Sequence, residues 1–388
     1  MSLDVWPALP LLILGAVFEA SMDDIISLLK HSDRITQIQM DLHRYIFGVE
    51  ALWTAMQVPF PELSDFYLSL GDMSLGPVLP DSLLGGSAPR LRHLTLDSVP
   101  FLGLPNLLLS ATHLVYLCLL HIPRSGYLSP ETITTCLSML TSLKAFRLEF
   151  GYPRSSNQES RRPPPPTRAV LPSLTTFWFR GANKYLEDLV SRIDTPLLRQ
   201  LSTTFFDGID FDTLELNQFI RRTPIFGEHN AASLSFHNST ARFILKSHPV
   251  DQELVRVEVD CKVPRRQPSS LAQICTSSLH LLLMVENLYI YEDSPPDWKG
   301  DIENAEWLGL LLPFTAVKNL YLSKISARNI APALQELIEE RTKEVLPALQ
   351  NIFFEGFRSS EPVQESISQF ISARQLTNYP VAVSVWER

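Results

Sequence analysis

Leu171 to Pro224 reads L-P-S-L-T-T-F-W-F-R-G-A-N-K-Y-L-E-D-L-V-S-R-I-D-T-P-L-L-R-Q-L-S-T-T-F-F-D-G-I-D-F-D-T-L-E-L-N-Q-F-I-R-R-T-P. Leu174, Phe177 and Phe179 stand at spacing L-x-x-L-x-L, which in an extended chain sends the last two to one face. Tyr185, Leu186, Leu189, Val190 and Ile193 then form a stripe along one side of a helix. Leu198, Leu201 and Thr203 return to the first pattern, 24 residues after Leu174. Strand, helix and strand at that period make one turn of a leucine-rich repeat.

One such turn cannot stand alone. Three or four buried side chains contribute about 1.5–3 kcal/mol each, against a backbone entropy cost of roughly 1–2 kcal/mol for every residue ordered. Neighbouring turns are required, and the motif recurs. Leu63-Phe66-Leu68, Leu91-Leu94-Leu96, Leu114-Leu117-Leu119 and Leu143-Phe146-Leu148 precede it. Leu254-Val257-Val259, Val285-Leu288-Ile290, Val317-Leu320-Leu322 and Leu349-Ile352-Phe354 follow it. The spacing runs mostly from 23 to 32 residues. The fold class expected is α/β, an irregular leucine-rich-repeat solenoid with a curved parallel sheet on the concave face and helices on the convex face.

At 388 residues and 45% hydrophobic content, the chain has enough apolar material for a long stacked core, and one array over 1–388 is expected. Residues 1–60 are read as its N-terminal cap, 152–169 as a flexible Arg/Pro-rich insertion and 361–388 as its C-terminal cap. A net charge of -9 gives no electrostatic footprint for nucleic acid. The apolar run from Leu9 to Phe18 is too short to span a bilayer, contains Pro10 and lacks a basic flank, so it reads as a strand and connector, with a signal peptide as the alternative. Cys118, Cys136, Cys261 and Cys275 show no C-x-x-C or zinc-finger spacing and read as small buried residues in a reducing, intracellular setting, cytoplasmic or nuclear. Asn238-Ser239-Thr240 matches the glycosylation acceptor pattern, without a secretory signal beside it.

Local signals place further elements. Asp23 and Asp24 suit the start of a helix running to Lys30, and Ile35, Ile38 and Met40 make the first strand of the array. His43 to Met56 reads as a helix. Ser129-Pro130-Glu131 opens a helix reaching Leu140, with an N-cap serine, proline in the first turn and an acid beside it. Arg154 to Pro166 offers nothing a core could use and reads as an exposed loop with polyproline II character. Its P-x-x-P run also fits an SH3-type ligand. Leu234-Ser235-Phe236 and Phe243-Ile244-Leu245 read as short strands of a less regular repeat. Helices are expected from Pro268, over Trp307 to Leu312, and around Ile330 to Ile338 with Gln335, Glu336, Glu339 and Glu340 outward. A last helix carries Val363, Ile367, Phe370 and Ile371, before a closing strand of Val381, Val383 and Val385.

The wording of several stretches, namely L-P-S-L-T-T-F-W-F-R-G from Leu171, Y-L-E-D-L-V-S-R-I-D-T-P-L-L from Tyr185, R-R-P-P-P-P-T-R-A-V-L-P from Arg161, L-P-D-S-L-L-G-G-S-A-P-R-L-R-H-L from Leu79 and L-D-V-W-P-A-L-P from Leu3, resembles the leucine-rich region of a fungal F-box protein family. The resemblance covers nearly the whole chain. It implies the substrate-recognition region of an SCF-type cullin ubiquitin ligase. In that family a short helical F-box docks on the ligase adaptor. None is evident here, and the chain begins at a segment resembling the one that follows an F-box. The SCF adaptor is therefore an expected partner where an F-box lies upstream. Standard repeats also place Asn three residues after the third apolar position, where this chain has Val99, Ile122, Ile325 and Phe357, so backbone groups at that corner need other partners.

No G-x-S-x-G, H-E-x-x-H, P-loop or G-x-G-x-x-G is present, and Asp23-Asp24 and Glu339-Glu340 read as solvated helix positions. No catalytic, cofactor or metal residue is assigned, and the chain is read as a non-enzyme. In each L-x-x-L-x-L strand the residue between the last two apolar positions points away from the core. Stacking then aligns Tyr67, Thr95, Cys118, Arg147, Trp178, Ser202, Glu258, Tyr289, Tyr321 and Phe353 in a row. Large aromatics and Arg are the residue types enriched in binding hot spots. Arg147, Trp178, Arg180, Tyr289, Tyr291 and Tyr321 are accordingly expected to contact a protein partner on the concave face, with a stand-alone scaffold free of any ubiquitin role as the alternative.

Overall fold

A computed structural model describes residues 9–17, 22–42, 49–71, 78–152, 167–206, 213–247, 252–292, 302–337, 344–356 and 361–386. The chain divides into two compact units, Met1–Leu198 and Arg199–Arg388. Most of the Arg/Pro-rich insertion, the first six residues (43–48) of the helix expected over His43 to Met56 and the Glu339-Glu340 pair lie outside the described residues.

The first unit contains β1 (Leu11–Val17), α1 (Met22–Leu29), β2 (Ile35–Leu42), α2 (Val49–Ala55), β3 (Asp65–Ser69), β4 (His93–Asp97), α3 (Leu104–Ser110), β5 (Tyr116–Ile122), α4 (Pro130–Leu137), β6 (Ala145–Phe150), β7 (Ala169–Val170), β8 (Thr176–Gly181), α5 (Asn183–Ser191) and β9 (Ile193–Asp194). Strands β1, β2, β3, β4, β5, β6 and β8 pair in that order, all parallel. Parallel neighbours need a crossover between them, and the short helices supply it. The register puts Ile38 beside Phe66, then Leu94, Leu117, Phe146 and Phe177. All six are buried, and the rings of Phe146 and Phe177 stack at 5.3 Å with planes 6° apart. The L-x-x-L-x-L alternation thus becomes one continuous apolar row.

Backbone hydrogen bonds repeat with the coils. At the strand entrances Ser64 N donates to Thr36 O (2.9 Å), Arg92 N to Ser64 O (2.8 Å), Val115 N to Arg92 O (2.8 Å), Lys144 N to Val115 O (2.9 Å) and Thr175 N to Lys144 O (2.8 Å). At the exits, where the expected asparagine is missing, Leu70 N donates to Asp97 O (3.1 Å), Ser98 N to Leu120 O (2.9 Å) and Gly151 N to Ile122 O (3.1 Å). The main chain itself therefore satisfies that corner, leaving Val99 and Ile122 free to be buried. The helix start at Ser129 is as read: its Oγ accepts from Thr132 N at 3.2 Å, and Pro130 opens α4.

The second unit contains β10 (Gln200–Phe205), α6 (Leu214–Arg222), β11 (Ala231–His237), β12 (Thr240–Ser247), β13 (Gln252–Asp260), α7 (Gln267–Ser277), α8 (Leu279–Leu282), β14 (Asn287–Glu292), α9 (Asn304–Leu311), β15 (Asn319–Leu322), α10 (Lys324–Gln335), β16 (Asn351–Glu355), α11 (Glu361–Leu376) and β17 (Ala382–Trp386). Its strands pair in the order β10, β13, β12, β11, β14, β15, β16, β17. The expected all-parallel sheet fails at β12, which runs antiparallel to both β11 and β13. The reason is local: Asn238 and Ser239 form a two-residue turn between the paired His237 and Thr240, too short for any crossover. From β14 onward the parallel pattern resumes, with Leu288, Leu320 and Ile352 in register and fully buried.

Candidate functional site

Strand alternation gives each unit a second face, opposite the leucine rows. In the first unit the register sets Gln39, Tyr67, Thr95, Cys118, Arg147 and Trp178 side by side along it. Arg147 and Trp178 are direct neighbours, and Arg180 pairs in register with Glu149. Arg147 donates to Glu149 at 2.6 Å, so the carboxylate stands between two guanidinium-bearing positions. Arg147 keeps 42% of its side chain exposed, whereas Glu149 keeps 12%. What the face presents outward at this point is cationic and aromatic.

The row is not uniformly accessible. Cys118 occupies its expected register position but is buried, correcting its place among the outward residues. Burial pushes its thiol up, and burial followed by the bond to Cys118 pushes the Tyr116 phenol up to about 12. Burial likewise raises Cys136 to about 11 and drives Cys275 higher still. These thiols stay protonated and unreactive. Toward the N-terminal side, His93 Nδ1 lies 2.7 Å from Asp65 Oδ1 and His121 Nδ1 lies 2.7 Å from Asp97 Oδ1. His121 adopts φ 46°, unusual for a residue with a side chain, inside β5 where its register with β6 shifts between Leu119 and Ile122.

In the second unit the row differs from the one expected. Ser202 pairs with Arg256, and Glu258 pairs with Thr204 instead. Ser233, absent from the expected row, is the neighbour of Tyr289. Arg242 and Glu258 (2.5 Å), Arg256 and Glu253, and Arg256 and Glu258 (3.7 Å) form an ionic lattice on β12 and β13. Beyond it, Tyr289, Tyr321 and Phe353 stack as a ladder: 4.3 Å and 13° between the first two rings, 4.5 Å and 8° between the next two. Tyr291 lies two positions further along β14, in register with Ser235.

The spacing rule does not find three features, two in the second unit and one in the first. Asn319 Nδ2 donates to Asn287 Oδ1 at 2.9 Å and Asn351 Nδ2 to Asn319 Oδ1 at 2.8 Å, an amide ladder parallel to the aromatic one. Its signal was present in the chain as N-L-Y-I, N-L-Y-L and N-I-F-F at a 32-residue period. Trp386 reaches the tyrosines from β17, at 5.5 Å and 78° from Tyr321 and at 6.0 Å and 65° from Tyr289. The two His–Asp pairs of the first unit are the third.

Of the six expected contact residues, Arg147, Trp178 and Arg180 come together in the first unit, and Tyr289, Tyr291 and Tyr321 in the second. Both faces offer stacking, charge and hydrogen bonding. Among the described residues no group of three or more His, Cys, Asp or Glu side chains is placed to hold a metal ion, and no helix is long and apolar enough to cross a membrane.

No family model matches the chain, and no curated protein matches it. Among solved structures it is similar to the crystal structure of the leucine-rich repeat-containing protein LegL7 from Legionella pneumophila, at 12% identity and a TM-score of 0.31, over 87% of this chain and 90% of that one.

Proposed function

We propose that the chain is a protein-interaction module that works without catalysis inside the cell, and more finely the substrate-recognition region of an F-box protein of an SCF-type ubiquitin ligase. The interaction reading rests on one observation: in each unit, strands anchored by buried leucines and phenylalanines hold aromatic and arginine side chains in register on the opposite face. Large, rigid, amphipathic side chains supply contact area at low entropic cost. Arg147, Trp178 and Arg180 form one contact group, and Tyr289, Tyr291 and Tyr321 the other. The ubiquitin step is supported by the wording of Leu171–Leu198 and its companion stretches alone.

Two experiments separate the levels. Immobilised chain is used to capture cellular proteins, alongside Arg147→Ala/Trp178→Ala and Tyr289→Ala/Tyr321→Ala variants whose folding is checked by circular dichroism. Specific partners should be lost from at least one variant, and retention by both would overturn these faces as the contact surface. Mixing the longest product of the gene with purified ligase adaptor tests the finer reading: a stable complex supports it, and none leaves the scaffold without a ubiquitin role.

A further inference from the structure

Trp386 pairs in register with Glu355 on β16, yet its indole does not stay there. The ring lies edge-on to Tyr321 on β15 and to Tyr289 on β14, and Nε1 points at Leu322 O, 3.5 Å away. Neighbouring strands are about 4.8 Å apart, so the indole has to pass over β16 to make these contacts. It covers one side of the tyrosine ladder.

The strand that carries it is lightly held. Among the described residues β17 is an edge strand that pairs with β16 alone, and Ala382, Val383, Ser384 and Val385 are all exposed. The leucines and isoleucines of β14 and β15 are fully buried by contrast. A segment with few buried apolar contacts and solvent-facing backbone bonds opens far more readily than the elements beneath it. Besides the Nε1 contact with Leu322 O, the indole gains two edge-to-face ring contacts, which alone correspond to about a five- to hundred-fold bias toward the closed state.

We infer that β17 is a detachable strap whose Trp386 indole guards Tyr289 and Tyr321, so that a ligand of the ladder must displace it. The displacement clause rests on the partner-binding reading above, whereas the strap itself does not. Opening breaks no covalent bond and exposes the two rings together.

The test needs no partner. Hydrogen exchange on the intact chain should show β17 amides exchanging at least 100-fold faster than those of β16, and equal protection would overturn the strap. Tyrosine nitration by tetranitromethane, read by peptide mass, should proceed about tenfold faster at Tyr289 and Tyr321 in Trp386→Ala than in the native chain, with Tyr67 as an unchanged control. Trp386→Phe should fall between the two. Identical rates in all three proteins would show that the indole guards nothing. If Trp386→Ala fails to fold, the exchange measurement on the native chain still decides. Loss of partner capture in a Tyr289→Ala variant bears on neither readout, so the two readings fail separately.

Discussion

Replacing Asn319 by alanine removes the middle rung of the amide ladder. Asn319 donates to Asn287 and accepts from Asn351, so both side-chain bonds of the ladder go at once. A net hydrogen bond contributes about 0.5–1.5 kcal/mol, and all three amides are half-buried, which favours the lower end. The expected cost is about 1–2 kcal/mol. A second variant sharpens the test. Asn287→Ala alone loses one bond, but in the Asn287→Ala/Asn319→Ala double variant that bond is already gone. The two costs should therefore fall short of additivity by about 0.5–1.5 kcal/mol. Urea titration followed by circular dichroism measures both, read as midpoint shifts at constant slope. An Asn319→Ala protein within about 0.3 kcal/mol of wild type, or strictly additive costs, would refute the ladder as a stabilising unit.

Ser129→Ala should cost about 1 kcal/mol, because the Oγ that accepts from Thr132 N is the N-cap of α4, and thermal unfolding would register it. Gly85→Ala should cost about 1–3 kcal/mol, since the residue has φ +69° and an added Cβ would meet Pro59 Cα and N at 2.9 Å; a neutral effect in denaturant titration would contradict the contact. Glu292 accepts from the Ser323 and Ser326 hydroxyls, and burial raises its pKa above the ordinary 4.5. The folded state thus holds this proton to higher pH than the unfolded chain does, so its contribution is full below 4.5 and lost as pH rises through the folded value. Glu292→Gln should flatten the fall in stability over that window, and an unchanged stability–pH curve would contradict the assignment.

The leucine rows were legible because burial on one side of a strand demands a period of two, and Leu94, Leu117, Phe146 and Phe177 could satisfy it only in register. The hairpin at Asn238-Ser239 was not. Ala231 to Phe236 is buried on both faces, so no alternation marks its direction, and strand direction lies in the length of the connection. Cys118 shows a different limit. Its position on the outward face follows from spacing, but its burial does not: the thiol is hydrogen-bonded to Tyr116 and stands in register beside Arg147. Ladders such as Asn287-Asn319-Asn351 are pairings between coils and emerge only when repeats are aligned by their period. The reach of Trp386 across two strands is a rotamer property with no trace in the order of residues.

Phe177 and Trp178 are sequence neighbours on β8, the first fully buried and the second half-exposed. Measuring urea stability and partner capture on Phe177→Ala and Trp178→Ala side by side therefore tests the division of each strand into an inner and an outer face most directly. Phe177→Ala should lose about 3–5 kcal/mol, while Trp178→Ala should stay within about 1 kcal/mol of wild type and lose capture. Equal destabilisation by the two substitutions would contradict it.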